Sequence, residues 1–236
     1  MTHSFDGQTV LITGAAGNLG RAAAQAFAAR GARLALVHRD TARLASIFGA
    51  ESERQQFVAA DLLDAAATQA AVDAVLARQG RIDVLCNLAG GFGMGTPVHA
   101  TEARTWEQMF GLNMRTVLHM AQAVVPGMLA RGRGKVVNVG AFSAQRGLAQ
   151  MGAYIAAKSA VIRLTESMAA ELRGGGINVN CVLPTIIDTP ENRAAMPDAD
   201  PGQWVAPADL AEVLVFLASD AARAVHGAAL PVTGLS

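Results

Sequence analysis

The chain has 236 residues, of which 52% are hydrophobic and only 5% aromatic, enough for one large domain with an aliphatic core. Its 19 basic and 19 acidic side chains cancel and no basic run occurs, which argues against nucleic acid or an anionic membrane as a partner. The first residues lack a leader pattern, and no apolar run has the roughly 18 residues of a membrane span, so a cytoplasmic protein with a small-molecule substrate is expected. Cys86 and Cys181 lie in separate apolar runs without partners at ligand spacing, so neither a disulfide nor a metal site is expected.

The first elements are predicted as a strand, a glycine turn and a helix. A β-branched run at residues 9–13 is followed by Gly14, Gly17 and Gly20, and then by an alanine-rich segment at residues 21–30. Glycines in this context let the backbone turn tightly and approach a pyrophosphate, whose charge meets the N-terminus of the helix. The segment therefore predicts a phosphate-binding loop for a dinucleotide.

The end of the second predicted strand bears on which dinucleotide is bound. Residues 33–37 form an apolar run that ends at His38 and Arg39. Folds that prefer NAD usually place a carboxylate here, which binds the ribose 2′-hydroxyl. A guanidinium can instead donate a charge-assisted hydrogen bond to the 2′-phosphate of NADP, and such a bond contributes about 1.5–3 kcal/mol to binding. NADP(H) is therefore the preferred cofactor, with NAD(H) as the alternative because Asp40 follows directly.

Strand and helix patterns then alternate to the end of the chain. This alternation predicts an α/β fold, with residues 1–236 in a single Rossmann-type domain whose doubly wound parallel sheet has helices on both faces. In such folds the ligand lies beyond the carboxyl ends of the strands, where the glycine loop, Asp61 and Asn87 fall. Further strands are predicted at residues 57–60, 82–86, 135–139, 178–183 and 229–232, and helices at 64–79, 106–131, 153–173 and 207–219.

Tyr154 is the only tyrosine of the chain, and Lys158 follows it by four residues. That spacing puts both side chains on one face of a helix. An ammonium beside a phenol favours the phenolate and lowers its pKa from about 10 toward neutrality, which suits acid–base chemistry on a carbonyl or alcohol. The pair alone is more typical of an ordinary helix surface, and the surrounding motifs favour the functional interpretation.

These motifs, taken together, resemble the short-chain dehydrogenase/reductase family from end to end. The resemblance rests on the glycine-rich loop at residues 13–20, the turn at residues 87–90, the helix residue Asn113, and the pair Tyr154 and Lys158. It implies that Tyr154 passes a proton to the substrate, that Lys158 grips the nicotinamide ribose, and that Asn113 holds a water in a proton relay. The implied cofactor-binding residues are Gly14, Gly17, Asn18, Leu19, Gly20, His38, Arg39, Asp61, Leu62, Asn87, Ala89, Gly90, Tyr154, Lys158, Pro184, Ile187 and Thr189.

Two departures from the family pattern concern phosphate binding and catalysis. In the glycine loop, Asn18 stands where the family usually has a glycine. Thirteen residues before Tyr154, where the family has its catalytic serine, stands Ala141, which cannot donate a hydrogen bond to a substrate oxygen. Ser143 is a candidate substitute, since residues two apart on an extended strand face the same way.

A substrate loop is expected at about residues 185–206. This segment and Ala141 resemble the quinonoid dihydropteridine reductase branch, whereas His38 and Arg39 depart from the acidic signature of that branch. We therefore expect hydride transfer between NADP(H) and a carbonyl, alcohol or imine substrate. The alternatives are quinonoid dihydropteridine reduction and a catalytically silent NAD(P)-binding protein. The resemblance also implies a homodimer or homotetramer.

Overall fold

The protein folds around a parallel sheet of seven strands, seen in a computed structural model that describes residues 3–235. The order of the strands across the sheet is β3-β2-β1-β4-β5-β6-β7. The predicted doubly wound α/β fold is confirmed. The strands are β1 (Thr9–Thr13), β2 (Arg33–His38), β3 (Gln55–Ala59), β4 (Val84–Asn87), β5 (Gly134–Val139), β6 (Ile177–Pro184) and β7 (Ala229–Val232).

Helices cover both faces of the sheet and bury two separate apolar clusters. Phe27 and Leu214 belong to the cluster on one face, and Val72 and Met120 to the cluster on the other. The helices are α1 (Asn18–Ala28), α2 (Thr41–Phe48), α3 (Ala65–Gln79), α4 (Ala103–Phe110), α5 (Thr116–Arg131), α6 (Gly152–Leu172), α7 (Pro190–Ala195) and α8 (Pro207–Ala218). Within residues 3–235, no helix is both long and apolar enough to cross a membrane.

The direction of winding reverses at β1, and this reversal creates the crevice for a ligand. The chain passes outward from β1 to β2 and β3, then returns to place β4 on the other side of β1. The register aligns Thr13 of β1 with Asn87 of β4, and Asn87 with Asn138 of β5. Polar side chains therefore stand next to one another at the carboxyl edge, where doubly wound sheets bind ligands.

The sequence patterns missed three features of the helices. No element was predicted over residues 41–48, where α2 begins because the Asp40 carboxylate accepts hydrogen bonds from two backbone N–H groups of its first turn. The helix predicted over residues 106–131 is two helices, α4 and α5, separated by a π-helical turn at Gly111–Arg115. The short helix α7 lies inside the segment predicted as a substrate loop.

Candidate active site

The glycine loop and the turn after β4 are held together by Thr13. Its hydroxyl oxygen accepts hydrogen bonds from the N–H groups of Leu88 and Ala89, at 3.0 and 3.1 Å. Gly14 has a φ of +64°, and a Cβ there would lie 2.8 Å from the Ala89 nitrogen, so a larger residue would push the two loops apart. A Cβ at Gly20 would collide with the Gly14 carbonyl oxygen. Both glycines therefore permit close packing of the backbone around the loop, and they fit the tight turn that the sequence predicts.

The N-terminus of α1 has the properties of an anion site. Gly17 is its N-cap residue, no side chain caps the helix, and no acidic residue lies in the first turn. The free N–H groups and the positive end of the helix dipole favour a negative group. These features fit the pyrophosphate of a nicotinamide dinucleotide.

Asn18 links this terminus to the predicted substrate segment. Its side-chain nitrogen donates a hydrogen bond of 2.9 Å to the carboxylate of Glu191 in α7. The Glu191 backbone N–H, followed by the Asn18 amide, holds the pKa of that exposed carboxyl below its ordinary value. Sequence reasoning missed Glu191, because the two residues are 173 positions apart and only the fold brings them together.

His38 and Arg39 end β2 at the same edge of the sheet, as predicted. Asp40 is occupied locally, since its carboxylate accepts hydrogen bonds from the N–H groups of Ala42 and Arg43, at 2.8 and 3.4 Å. The side chain of Arg39 is exposed and makes no ion pair within the part of the chain that the structure describes. A free cation and an occupied carboxylate therefore stand where a dinucleotide's adenine ribose would lie.

Asp61 and Leu62 follow β3, on the same side of the sheet. The Asp61 carboxylate accepts a hydrogen bond from the Leu63 N–H at 3.0 Å, which shapes a tight turn. Leu62 is buried, and its carbonyl oxygen accepts a hydrogen bond from His119 Nδ1 at 2.9 Å. The turn fixes the two residues at the edge predicted for adenine binding, and their contact with adenine stays a prediction.

Asn87 is buried and belongs to a chain of hydrogen bonds across the sheet. Its side-chain nitrogen donates to Asn138 at 2.9 Å, and the Asn138 nitrogen donates to the Thr165 hydroxyl at 2.9 Å. The Asn87 Oδ1 atom is buried with no hydrogen-bond partner among residues 3–235. Asn138 and Thr165 were missed, although a polar residue at the end of an apolar strand was a signal for the former. The predicted contact of Asn87 with a cofactor ribose stays a prediction.

Asn113 and Lys158 converge on Gly90. The side-chain oxygen of Asn113 accepts a hydrogen bond from the Gly91 N–H at 3.1 Å, and Lys158 Nζ donates to the Val139 carbonyl at 2.8 Å. A Cβ at Gly90 would lie 2.8 Å from Asn113 Oδ1 and 3.3 Å from Lys158 Nζ. The π-helical turn carries Asn113 here, as such turns often do at functional sites. The structure thus brings together predicted residues from distant parts of the chain.

The predicted lowering of the Tyr154 pKa is wrong for the protein without ligands. Burial raises the pKa of Tyr154 to about 12 and lowers that of Lys158 to about 8. Desolvation disfavours the charged form of each group, and for Lys158 it outweighs the opposing effect of Cys181. The Tyr154 ring also packs against the edge of Phe92, with ring centroids 5.0 Å apart. Tyr154 is therefore a neutral phenol at pH 7.

The buried lysine should make stability depend on pH. Between its folded pKa of about 8 and its ordinary value of 10.5, the unfolded chain binds a proton that the folded protein does not. The free energy of unfolding, relative to that of Lys158→Met, should therefore rise by up to about 3 kcal/mol from pH 8 to pH 10.5. Urea denaturation of both proteins across this range is the measurement, and parallel pH profiles would contradict the expectation.

The geometric argument for Ser143 as a substitute serine is wrong. Ala141 is buried and extended, but Phe142–Gln145 form a 3-10 turn, so Ser143 does not lie two residues further along a strand. In a helical turn, residues two apart do not face each other. The position thirteen residues before Tyr154 thus presents a methyl group, and substitution by the Ser143 hydroxyl stays a prediction without this geometric support.

The segment after β6 is anchored by its own hydrogen bonds. Ile187 forms a bridge with Val205, and its carbonyl oxygen accepts a hydrogen bond of 2.8 Å from the Asn192 side chain. The Thr189 hydroxyl oxygen accepts from the Asn192 N–H at 3.1 Å and caps α7. Pro184, Ile187 and Thr189 lead away from the carboxyl end of β6, at the edge where the other predicted cofactor residues lie.

The fold and these residues define a dinucleotide-binding oxidoreductase, and comparisons with known proteins agree. The short chain dehydrogenase family matches residues 8–200. D-threitol dehydrogenase of Mycolicibacterium smegmatis is 36% identical, over 98% of this chain and 93% of the relative. A protein named inactive 2-(S)-hydroxypropyl-CoM dehydrogenase 2, from Xanthobacter autotrophicus, is 38% identical over 89% of this chain and 97% of the relative.

Solved structures with bound cofactor are similar over nearly the whole chain. A gluconate 5-dehydrogenase from Burkholderia cenocepacia, in complex with NADP and tartrate, has a TM-score of 0.89 and 32% identity, covering 98% of this chain and 95% of the other. An NAD⁺-bound xylitol dehydrogenase has a TM-score of 0.89 and 26% identity, covering 98% of this chain and 99% of the other. The chain belongs to the short-chain dehydrogenase/reductase family, and it is an oxidoreductase that uses a nicotinamide dinucleotide.

Proposed function

We propose that the protein is an NADP(H)-dependent reductase of a carbonyl group, with Tyr154 as the general acid and the reverse alcohol oxidation as its counterpart. The observation that carries the proposal is the convergence of Lys158 Nζ and Asn113 Oδ1 beside Gly90. Tyr154 precedes Lys158 by one turn of the same helix, α6. D-threitol dehydrogenase and the gluconate 5-dehydrogenase, by their names, act on alcohols, which supports a substrate with a CH–OH or C=O group.

The site residues would divide the work as follows. The bound dinucleotide supplies the hydride. Gly14, Gly17 and Gly20 leave room for its pyrophosphate at the N-terminus of α1, and Arg39 pairs with a 2′-phosphate. Lys158 reaches the nicotinamide ribose with the two Nζ protons that Val139 does not take. By family resemblance, Ile187 and Thr189 would orient the nicotinamide carboxamide.

Tyr154 is better suited to give a proton than to take one. Its pKa, raised by burial to about 12, keeps the phenol protonated at neutral pH, which is the state that a general acid needs. Asn113 would hold a water that returns the proton to Tyr154. The buried Ala141 removes one hydroxyl that the family uses to polarise the substrate oxygen, so the Tyr154 hydroxyl would carry that task as well.

Two alternative functions are also supported by the alanine at position 141. Ala141 and the segment at residues 185–206 resemble the quinonoid dihydropteridine reductases, which favours a pterin substrate. Ala141 also fits a catalytically silent NAD(P)-binding protein, and one relative is named as inactive. The proton-relay residues Tyr154, Lys158 and Asn113 are all present, and for this reason we favour the reductase.

Steady-state oxidation of NADPH by the purified protein tests these functions. It would be followed in parallel with quinonoid dihydropterin and with a panel of ketones, oxo-esters and quinones. Turnover of ketones supports the proposed reductase, and turnover of the pterin alone supports the dihydropteridine alternative. Tight NADPH binding without consumption of any of these substrates would contradict both and leave the silent binding protein.

Assembly and location form the last part of the proposal. Family resemblance leads us to propose a homodimer or homotetramer, which sedimentation of the purified protein would distinguish. We also propose a cytoplasmic location. Neither proposal enters the catalytic argument, which depends on one chain only.

A further inference from the structure

A polar cavity lies at the edge of the sheet opposite to the candidate active site. Its volume is about 260 Å³, and it opens at the amino ends of β5 and β6. Because the strands are parallel, this edge is a full strand length from Tyr154 and the glycine loop. The residues that line it are Arg133, Lys135, Arg173, Gly176, Asn178, Asp220, Arg223 and His226.

The floor of the cavity is a buried ammonium group. Lys135 is only 7% exposed, and its Nζ donates one hydrogen bond, of 2.7 Å, to the side-chain oxygen of Asn178. Among residues 3–235, no carboxylate lies within ion-pair distance of Nζ, and it makes no other hydrogen bond. An ammonium has three protons to donate, and Asp220 acts on this one only from beyond ion-pair distance. Two donors of Lys135 are therefore left for a ligand.

Asn178 is held so firmly that it acts as a fixed acceptor for this lysine. Its side-chain nitrogen lies 2.9 Å from the Val225 carbonyl and 3.1 Å from the Arg223 carbonyl, both in the segment that precedes β7. The same nitrogen lies 3.3 Å from His226 Nε2. This anchoring ties the Arg223 segment to the foot of β6 and keeps the Lys135 ammonium in place.

Positive charge dominates the rim of the cavity. Four cationic side chains line it against one carboxylate, so the lining has an excess of three positive charges in a chain whose net charge is zero. Asp220 is already paired with Arg133, at 3.2 Å. The exposed side chains of Arg173 and Arg223 make no ion pair within the described part of the chain. Two free guanidinium groups thus stand above one buried ammonium.

We propose that this cavity is a binding site for a phosphate group, either inorganic phosphate or the phosphate of a small metabolite. Guanidinium groups match the oxygen geometry of phosphate in two-pronged hydrogen bonds, and a lysine adds a point charge. The volume suits a phosphate group or a small ester, and it is below the usual range for larger ligands. Lys135 holds the phosphate from below, and Arg173 and Arg223 close over it.

Calorimetric titration of the full-length protein with inorganic phosphate tests the site. We expect a dissociation constant of about 1 mM or tighter. Arg223→Gln should weaken binding by about tenfold through the loss of a charge-assisted hydrogen bond, and Lys135→Met should abolish it. Arg33→Gln is the matched control, because Arg33 is exposed at the amino end of β2, on the same edge of the sheet but outside the cavity. It changes the net charge equally and should leave binding intact.

Two further titrations locate the binding and identify its source. Phosphate binding that persists in the presence of saturating NADPH lies outside the dinucleotide site. A small phosphate ester that binds more tightly than inorganic phosphate would indicate a metabolite ligand, and equal binding would indicate the phosphate group alone. Absence of phosphate binding would overturn the proposal, and so would equal weakening by Arg33→Gln and Arg223→Gln. The phosphate titration would also be repeated with sodium chloride added to the buffer at the ionic strength of the phosphate solution. Loss of the phosphate-binding heat under that condition would overturn the proposal as well.

Discussion

Replacing Tyr154 by phenylalanine should lower turnover by about 10²- to 10⁴-fold, the contribution of a positioned general acid. The variant removes only the hydroxyl, so the ring keeps its edge contact with Phe92 and the fold should be unchanged. Because the pyrophosphate loop and Arg39 are untouched, NADPH affinity should change little. The measurements are initial rates of NADPH oxidation with a ketone that the protein reduces, and NADPH binding followed by fluorescence.

An unchanged rate in Tyr154→Phe would contradict the role assigned to this residue. A loss of rate accompanied by an equal loss of NADPH binding would point to a positioning effect instead. The same assay decides the role of Ser143. Because Ser143 lies in a 3-10 turn and not on an extension of β5, Ser143→Ala should retain most of the turnover.

Replacing Arg39 by alanine should weaken NADPH binding by about 10- to 100-fold, since a charge-assisted hydrogen bond to a phosphate contributes about 1.5–3 kcal/mol. NADH lacks the 2′-phosphate, so its dissociation constant should stay the same. The selectivity between the two cofactors should therefore fall by the same factor. Both constants can be measured by fluorescence titration at low ionic strength, where such contacts are least screened.

Arg54→Ala provides a matched control for this experiment. Arg54 is an exposed arginine next to the amino end of β3, so its loss changes the net charge without touching the carboxyl edge of the sheet. Equal effects of the two variants would show a general charge effect. Equal binding of NADPH and NADH by the unaltered protein would contradict the proposed preference for NADP(H).

The sequence was most informative where local chemistry decides local structure. Alternating strand and helix patterns predicted the doubly wound sheet, because a parallel strand buried on both faces needs a continuous apolar run. The glycine loop was recognisable for a similar reason. Gly14, with its positive φ and close contact with Ala89, occupies a conformation and a space that other residues do not tolerate. The spacing of Tyr154 and Lys158 was equally local, since one helical turn sets it.

What the sequence alone could not supply depends on contacts between distant segments and on burial. The pKa of Tyr154 follows from desolvation, which no spacing of residues reports, and so it is raised where the sequence predicted a lower value. The turn at Phe142–Gln145 and the π-helical turn around Asn113 have no periodic signature, yet they decide which hydroxyl and which amide reach the site. The contact between Asn18 and Glu191 likewise exists only in the folded chain. The sequence by itself thus determined the family and the chemical groups of the site. The tertiary structure determined the protonation of these groups and which of them lie close together, because both properties depend on what packs around each side chain.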